Sequence, residues 1–118
     1  MNGFYKLEGR KVVSCSTKEF AKFMSLGDNK RVAEDFVGDM HVSTVFLGMN
    51  HNIGRGRPLF FETMIFGGGL DQMVNRCSTY DEAEGMHKEM VEFAKDSLAI
   101  EGERVKDILQ ISHNDKGE

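Results

Sequence analysis

Two arginines, a histidine and two asparagines crowd into one glycine-containing segment, Met49-Asn50-His51-Asn52-Ile53-Gly54-Arg55-Gly56-Arg57-Pro58. Gly54 and Gly56 permit backbone conformations in which successive N–H groups face a common point, the arrangement that cradles anions. Arg55 and Arg57 can add forked, charge-assisted hydrogen bonds to a phosphate or carboxylate. Asn50, His51, Arg55 and Arg57 are therefore candidate binding residues, and a phosphorylated small molecule such as a nucleotide signal is the matching ligand. The competing reading is structural: the segment bends and its arginines stay solvated. The Gly-x-Gly pair lacks the rest of a dinucleotide fingerprint, and the Walker spacing is missing.

Glu62 is the second residue that asks for an explanation. In a strand it shares a face with Phe60, Met64 and Phe66, an expensive place for a carboxylate without a partner. It would serve as acid or base only with a second group nearby, for which His51 is the candidate. The alternatives are a pair with Arg55, Arg57 or Arg76, or a position on an exposed or interface face. The four histidines (His41, His51, His87 and His113) and two cysteines (Cys15 and Cys77) show no His-Glu-x-x-His, Cys-x-x-Cys or other tight ligand spacing, so no metal and no cofactor is expected. Gly-x-Ser-x-Gly is also missing. His87 falls beside the apolar stripe of a helix and reads as a hydrogen-bonded packing residue. No catalytic residue is assigned.

The elements that must position these residues follow from periodicity and turn chemistry. Phe4–Leu7 and Arg10–Val13 flank Glu8-Gly9, a short β-hairpin. Ser16-Thr17-Lys18-Glu19 has the form of a capping box, followed by Phe20, Phe23 and Met24 at helical spacing and closed by Gly27. Arg31–Val37, the turn Gly38-Asp39 and His41–Leu47 form a second hairpin, and both faces of its second strand carry apolar residues, as in a central strand. Leu59–Phe66 is rich in phenylalanine and β-branched residues and ends at Gly67-Gly68-Gly69. Antiparallel neighbours normally need two to five loop residues, so the longer segment between these last two strands is an exposed basic tip.

Thr79 and Glu82 are spaced as a second capping box, opening a main helix with the apolar stripe Ala83, Met86, Met90, Ala94 and Leu98. Gly102 is expected to break it. Val105, Ile108, Leu109 and Ser112 indicate a short last helix, and residues 114–118 a polar tail. The fold class is α+β: an antiparallel sheet of about four to five strands against one main C-terminal helix, with one or two short helices. Residues 1–113 form a single domain. Met86 and Met90 read as core, although Met64, Met73, Met86 and Met90 also have the character of an adaptable contact surface.

The bulk numbers narrow the function classes. The chain has 118 residues, 40% hydrophobic and 29% charged, which is enough apolar material for one core and excludes a disordered or fibrous class. The net charge of −4 argues against a general basic surface for duplex DNA. No apolar run approaches the roughly 18–20 residues that a membrane span needs, so no membrane partner is expected. Two cysteines are too few for a secreted disulfide framework, which points to a cytoplasmic setting.

Val42-Ser43-Thr44-Val45-Phe46-Leu47-Gly48-Met49-Asn50-His51, continued by Pro58-Leu59-Phe60-Phe61-Glu62-Thr63-Met64-Ile65-Phe66-Gly67-Gly68, resembles a signature of small bacteriophage and prophage proteins without an assigned activity. Ser78-Thr79-Tyr80-Asp81-Glu82-Ala83 and the following Gly85-Met86-His87 resemble the same family's helix start. Arg57-Pro58 departs from its paired prolines, Cys77 replaces an aromatic, and the chain beyond about Ile100 has no counterpart. The resemblance implies a viral origin and the cytoplasm of an infected bacterium.

Three function classes follow. The first is a non-enzymatic phage accessory protein that binds and modulates a host protein or complex, with the acidic helix face of Asp81, Glu82, Glu84, Glu89 and Glu92 available to a basic partner. The second is a small-ligand binder that sequesters a phosphorylated nucleotide through Asn50, His51, Arg55 and Arg57. The third is an enzyme using Glu62 with His51. A homodimer is compatible with all three, and no heptad or edge signal decides it.

Overall fold

The computed structural model describes residues 3–116, with side chains placed as far as residue 109. Strands β1 (Phe4–Glu8) and β2 (Lys11–Cys15) form a separate two-stranded hairpin. Helix α1 (Thr17–Ser25) follows, and then β3 (Arg31–Val37), β4 (Met40–Phe46), β5 (Phe61–Phe66) and β6 (Val74–Cys77) make a four-stranded antiparallel sheet in sequential order. A turn of 3-10 helix at Gly68–Leu70 joins β5 to β6, and helix α2 (Tyr80–Lys116) ends the described chain. The chain is thus α+β, with the sheet packed against one long C-terminal helix.

Both capping boxes form. Ser16 Oγ accepts from the Glu19 N–H at 3.1 Å, and the Glu19 carboxylate accepts from the Ser16 N–H. Thr79 Oγ1 accepts from the Glu82 N–H at 3.2 Å, and Glu82 returns the bond to the Thr79 N–H at 3.1 Å. These bonds satisfy backbone donors that a helix start leaves without partners. Gly67 leaves β5 at φ +86, and a Cβ there would stand 2.6 Å from the Asp39 carbonyl oxygen. Only glycine fits this corner.

Alternation across the sheet separates two faces. Val42, Thr44, Phe46, Phe61, Thr63 and Ile65 point toward α2 and are fully buried or nearly so, meeting Ala83, Met90 and Ala94. Met86 and Met90 are core residues. The hairpin β1–β2 closes one end of this core, with the Tyr5 ring 4.6 Å from Phe60 and the Tyr5 N–H bonded to the Gly48 carbonyl. Phe60 is buried in that end cluster.

Three expectations need correction. Gly102 does not break the main helix: α2 runs on through it as one element of 37 residues, so Val105, Ile108 and Leu109 continue that helix and do not found another. A single glycine costs a helix only about 1 kcal/mol relative to alanine, which flanking turns absorb. Residues 114–116, expected in a polar tail, are helical; the side chains of Ser112 and His113, and residues 117–118, lie outside the described residues. Finally, β6 was not expected. Its four residues, Val-Asn-Arg-Cys, owe their extended form to pairing with β5, Glu62 opposite Arg76 and Phe61 opposite Cys77.

Candidate functional site

The predicted basic tip exists. Strands β4 and β5 pair antiparallel, Val45 opposite Glu62 and Phe46 opposite Phe61, and residues 47–60 form the connection between them. Two bonds extend the ladder into it, Leu47 N–H to Phe60 O at 2.8 Å and His51 N–H to Leu59 O at 2.9 Å. The tip beyond is built around two asparagines. Asn50 Oδ1 accepts from the Asn52 and Leu59 N–H groups at 2.8 and 2.9 Å. Asn52 Oδ1 accepts from the Gly54 N–H at 2.9 Å, and its Nδ2 donates to the Arg57 carbonyl at 2.8 Å.

This wiring bears on the anion cradle. Of the N–H groups around Gly54 and Gly56 that would face a bound anion, that of Gly54 is already donated to Asn52 Oδ1, and the Asn52 N–H beside them is donated to Asn50 Oδ1. Arg57 is also committed: its guanidinium forks onto Glu82 at 2.7 and 3.0 Å, tying the loop to the start of α2. That contact holds the Glu82 carboxyl well below the usual range, at about 2, because two donors favour the charged form. His51 and Arg55 are exposed, and neither has a side-chain partner among the described hydrogen bonds. The four loop candidates therefore take separate parts. Asn50 organises the loop, Arg57 anchors it, and His51 and Arg55 stand in solvent.

Glu62 lies on the sheet face turned away from α2. Its carboxylate accepts from Arg76 Nε on the neighbouring strand at 2.9 Å, and its side chain is 16% exposed. The pair is cross-strand, directly opposite in register, the geometry in which opposite charges support a sheet. No hydrogen bond joins Glu62 to His51 among the described residues, so an acid–base pair between them has no geometric support. Nor does Cys77 offer a nucleophile: burial, with the Glu82 charge adding to it, pushes its thiol up to about 11, and the thiolate is the reactive form.

One constellation was not foreseen as a unit. His87, 4% exposed, places Nε2 2.7 Å from Asp35 Oδ2 on β3 and Nδ1 2.7 Å from Thr44 Oγ1 on β4. Thr44 Oγ1 in turn bonds to Thr63 Oγ1 on β5. Hydroxyl, imidazole and carboxylate thus stand in the order of a nucleophilic triad. However, both threonines are fully buried between sheet and helix, where no substrate carbonyl can reach the hydroxyl. The network fastens α2 across three strands. His87 was legible as a packing histidine; its partners, 43 and 52 residues away, were not.

The sheet face opposite α2 holds the remaining feature. Phe36 and His41 stack with centroids 4.5 Å apart and planes 9° from parallel, and Phe66 follows 5.8 Å beyond His41. Phe36 is 71% exposed and Phe66 45%, with Val74 similarly open. Beside this aromatic row the charges are paired within the face: Glu34 accepts from Arg31 and lies 2.7 Å from His41 Nε2, and Glu62 accepts from Arg76. The acidic start of α2 is likewise largely paired within the chain. Arg10 lies over the Tyr80 ring and bonds both Asp81 and Glu84, and Arg57 takes Glu82.

No protein-family model, curated protein or solved structure matches the chain. Among the described residues no helix is long and apolar enough to cross a membrane.

Proposed function

We propose that the protein is a phage-encoded accessory protein that works without chemistry of its own, in the cytoplasm of the host bacterium, by binding a host protein or complex through the open face of its sheet. The observation that carries this reading is the exposed row Phe36–His41–Phe66, flanked by charges already satisfied by one another. Large exposed aromatic residues are the typical anchors of protein interfaces. Pre-paired charges lower the cost of covering the face, because no bare ion has to be stripped of water. The fitting partner is thus a protein surface that is apolar at its centre and nearly neutral, not the strongly basic one that the acidic residues of α2 would attract. The viral origin rests on the sequence resemblance.

The second and third classes receive less support. The Gly54 amide of the phosphate cradle is taken by Asn52, Arg57 is bound to Glu82, and Glu62 is bound to Arg76. The test is quantitative capture from host lysate with the whole chain and with a Phe36→Asp, Phe66→Asp variant. Both side chains are exposed, so the variant should melt like the parent. A host protein retained by the parent and lost by the folded variant supports the proposal; equal retention removes the sheet face from it.

A further inference from the structure

Helix α2 is longer than the domain it packs on. Its 37 residues span about 55 Å at 1.5 Å per residue, whereas the longest strands have 7 residues, about 23 Å. The Leu98 side chain still reaches Gly38, in the turn between β3 and β4; beyond it the helix projects. The chain measures 73 × 32 × 19 Å with a radius of gyration of 19.5 Å, where a compact chain of this length would have about 13–14 Å.

The projecting part is amphipathic in phase with the packed part. Leu98, Val105 and Leu109 stand 4, 11 and 15 residues after Ala94, so they fall on the side of the helix that Ala94 buries against the sheet. Ile108 widens the same stripe. All four are exposed, Ile108 and Leu109 by more than 60%. Helical segments of this length are marginal in water without a packed face, and Gly102 weakens this one further.

We infer that this stripe is covered by the same segment of a second copy of the chain, the two helices running antiparallel and crossing near Gly102. Gly102 sits between Leu98 and Val105 on the stripe, and a Cβ there would meet nothing in its own chain; its bareness lets a second backbone approach closely. Inside the stripe stands one acid before the glycine, Glu101, seven residues after Ala94, and at its edge one base after it, Arg104. An antiparallel crossing sets each opposite the other's counterpart, whereas a parallel one would set like against like. Glu103 and Asp107 lie on the far side of the helix. This inference is independent of the open sheet face.

Mass in solution, measured by light scattering on the full chain across a concentration series, tests it. The parent should run at twice its 13.3 kDa, and Val105→Glu, Leu109→Glu should run as a monomer whose domain melts unchanged. Glu101→Arg and Arg104→Glu should each be monomeric alone and form a dimer when mixed, since only the mixed pair has opposite charges at both contacts. Phe36→Asp should remain dimeric. A monomeric parent, a dimer that survives the Val105 and Leu109 changes, a mixture that stays monomeric, or a dimer lost with Phe36→Asp would each overturn the inference.

Discussion

His87 Nε2 stands 2.7 Å from the Asp35 carboxylate, joining the middle of α2 to the edge strand β3 across 52 residues of chain. A carboxylate only accepts hydrogen bonds, so in the neutral imidazole Nε2 carries the proton and Nδ1 is the acceptor. The Thr44 hydroxyl therefore donates to Nδ1 and accepts from Thr63. Every polar atom of the buried chain then has a partner, and this fixes the sheet against the helix in one register.

His87→Ala should destabilise the protein by about 2–4 kcal/mol, from the cavity and from two buried hydroxyls left without their outlet. Urea unfolding monitored by circular dichroism measures this. A loss below about 1 kcal/mol would mean that the network is not holding the layers together.

The acid limb of stability should depend on Glu19 and Glu82. Donation from Lys6 and Arg57, respectively, lowers each carboxyl from an ordinary 4.5 to about 2. Because the folded value lies below the unfolded one, the stabilisation is complete above about pH 4.5 and fades as pH falls toward 2. Melting temperatures from pH 7 to pH 2 should show a shallower acid slope for Glu19→Gln, Glu82→Gln than for the parent. Identical slopes would contradict both pairings.

Cys77 should be slow to react. With its thiol pushed up to about 11, about one molecule in a thousand is thiolate at pH 8. Labelling with a disulfide reagent should be slow in the folded protein and accelerate in urea. Rapid labelling of the folded chain at this site would place Cys77 in a different environment.

Asn50→Ala should loosen the loop without changing the sheet. The two backbone N–H groups it serves would lose their acceptor, costing about 1–2 kcal/mol. Limited proteolysis should then cut within residues 50–58 faster than in the parent, leaving β4 and β5 protected. Unchanged cleavage would show that Asn50 is not what shapes the tip.

Much of this was legible from local chemistry. Ser16 with Glu19, and Thr79 with Glu82, announce helix starts because the spacing itself makes the bonds. The alternation in β4 and β5 reveals the pairing and hence the tip. What stayed hidden depends on long-range packing. Four residues from Val74 to Cys77 are a strand only because β5 lies beside them. Gly102 looks like a stop until the turns on either side are seen to carry the helix through. Glu62 had several possible partners in the sequence, and the strand register chose Arg76; the pairing of Arg57 with Glu82 comes from the loop lying against the start of α2. Likewise, which face of the sheet α2 covers decides that Phe36 and Phe66 are bare, and no periodicity in β3 or β5 states it.

The central claim is that the bare sheet face meets a host protein. A photocrosslinking phenylalanine analogue at position 36, in protein made in the host and irradiated there, tests this most directly, with the same analogue at exposed Leu26 as the control. One discrete adduct with a host protein from position 36, and none from position 26, is predicted. No adduct from position 36, the same adduct from both positions, or an adduct of two copies of this chain would contradict it.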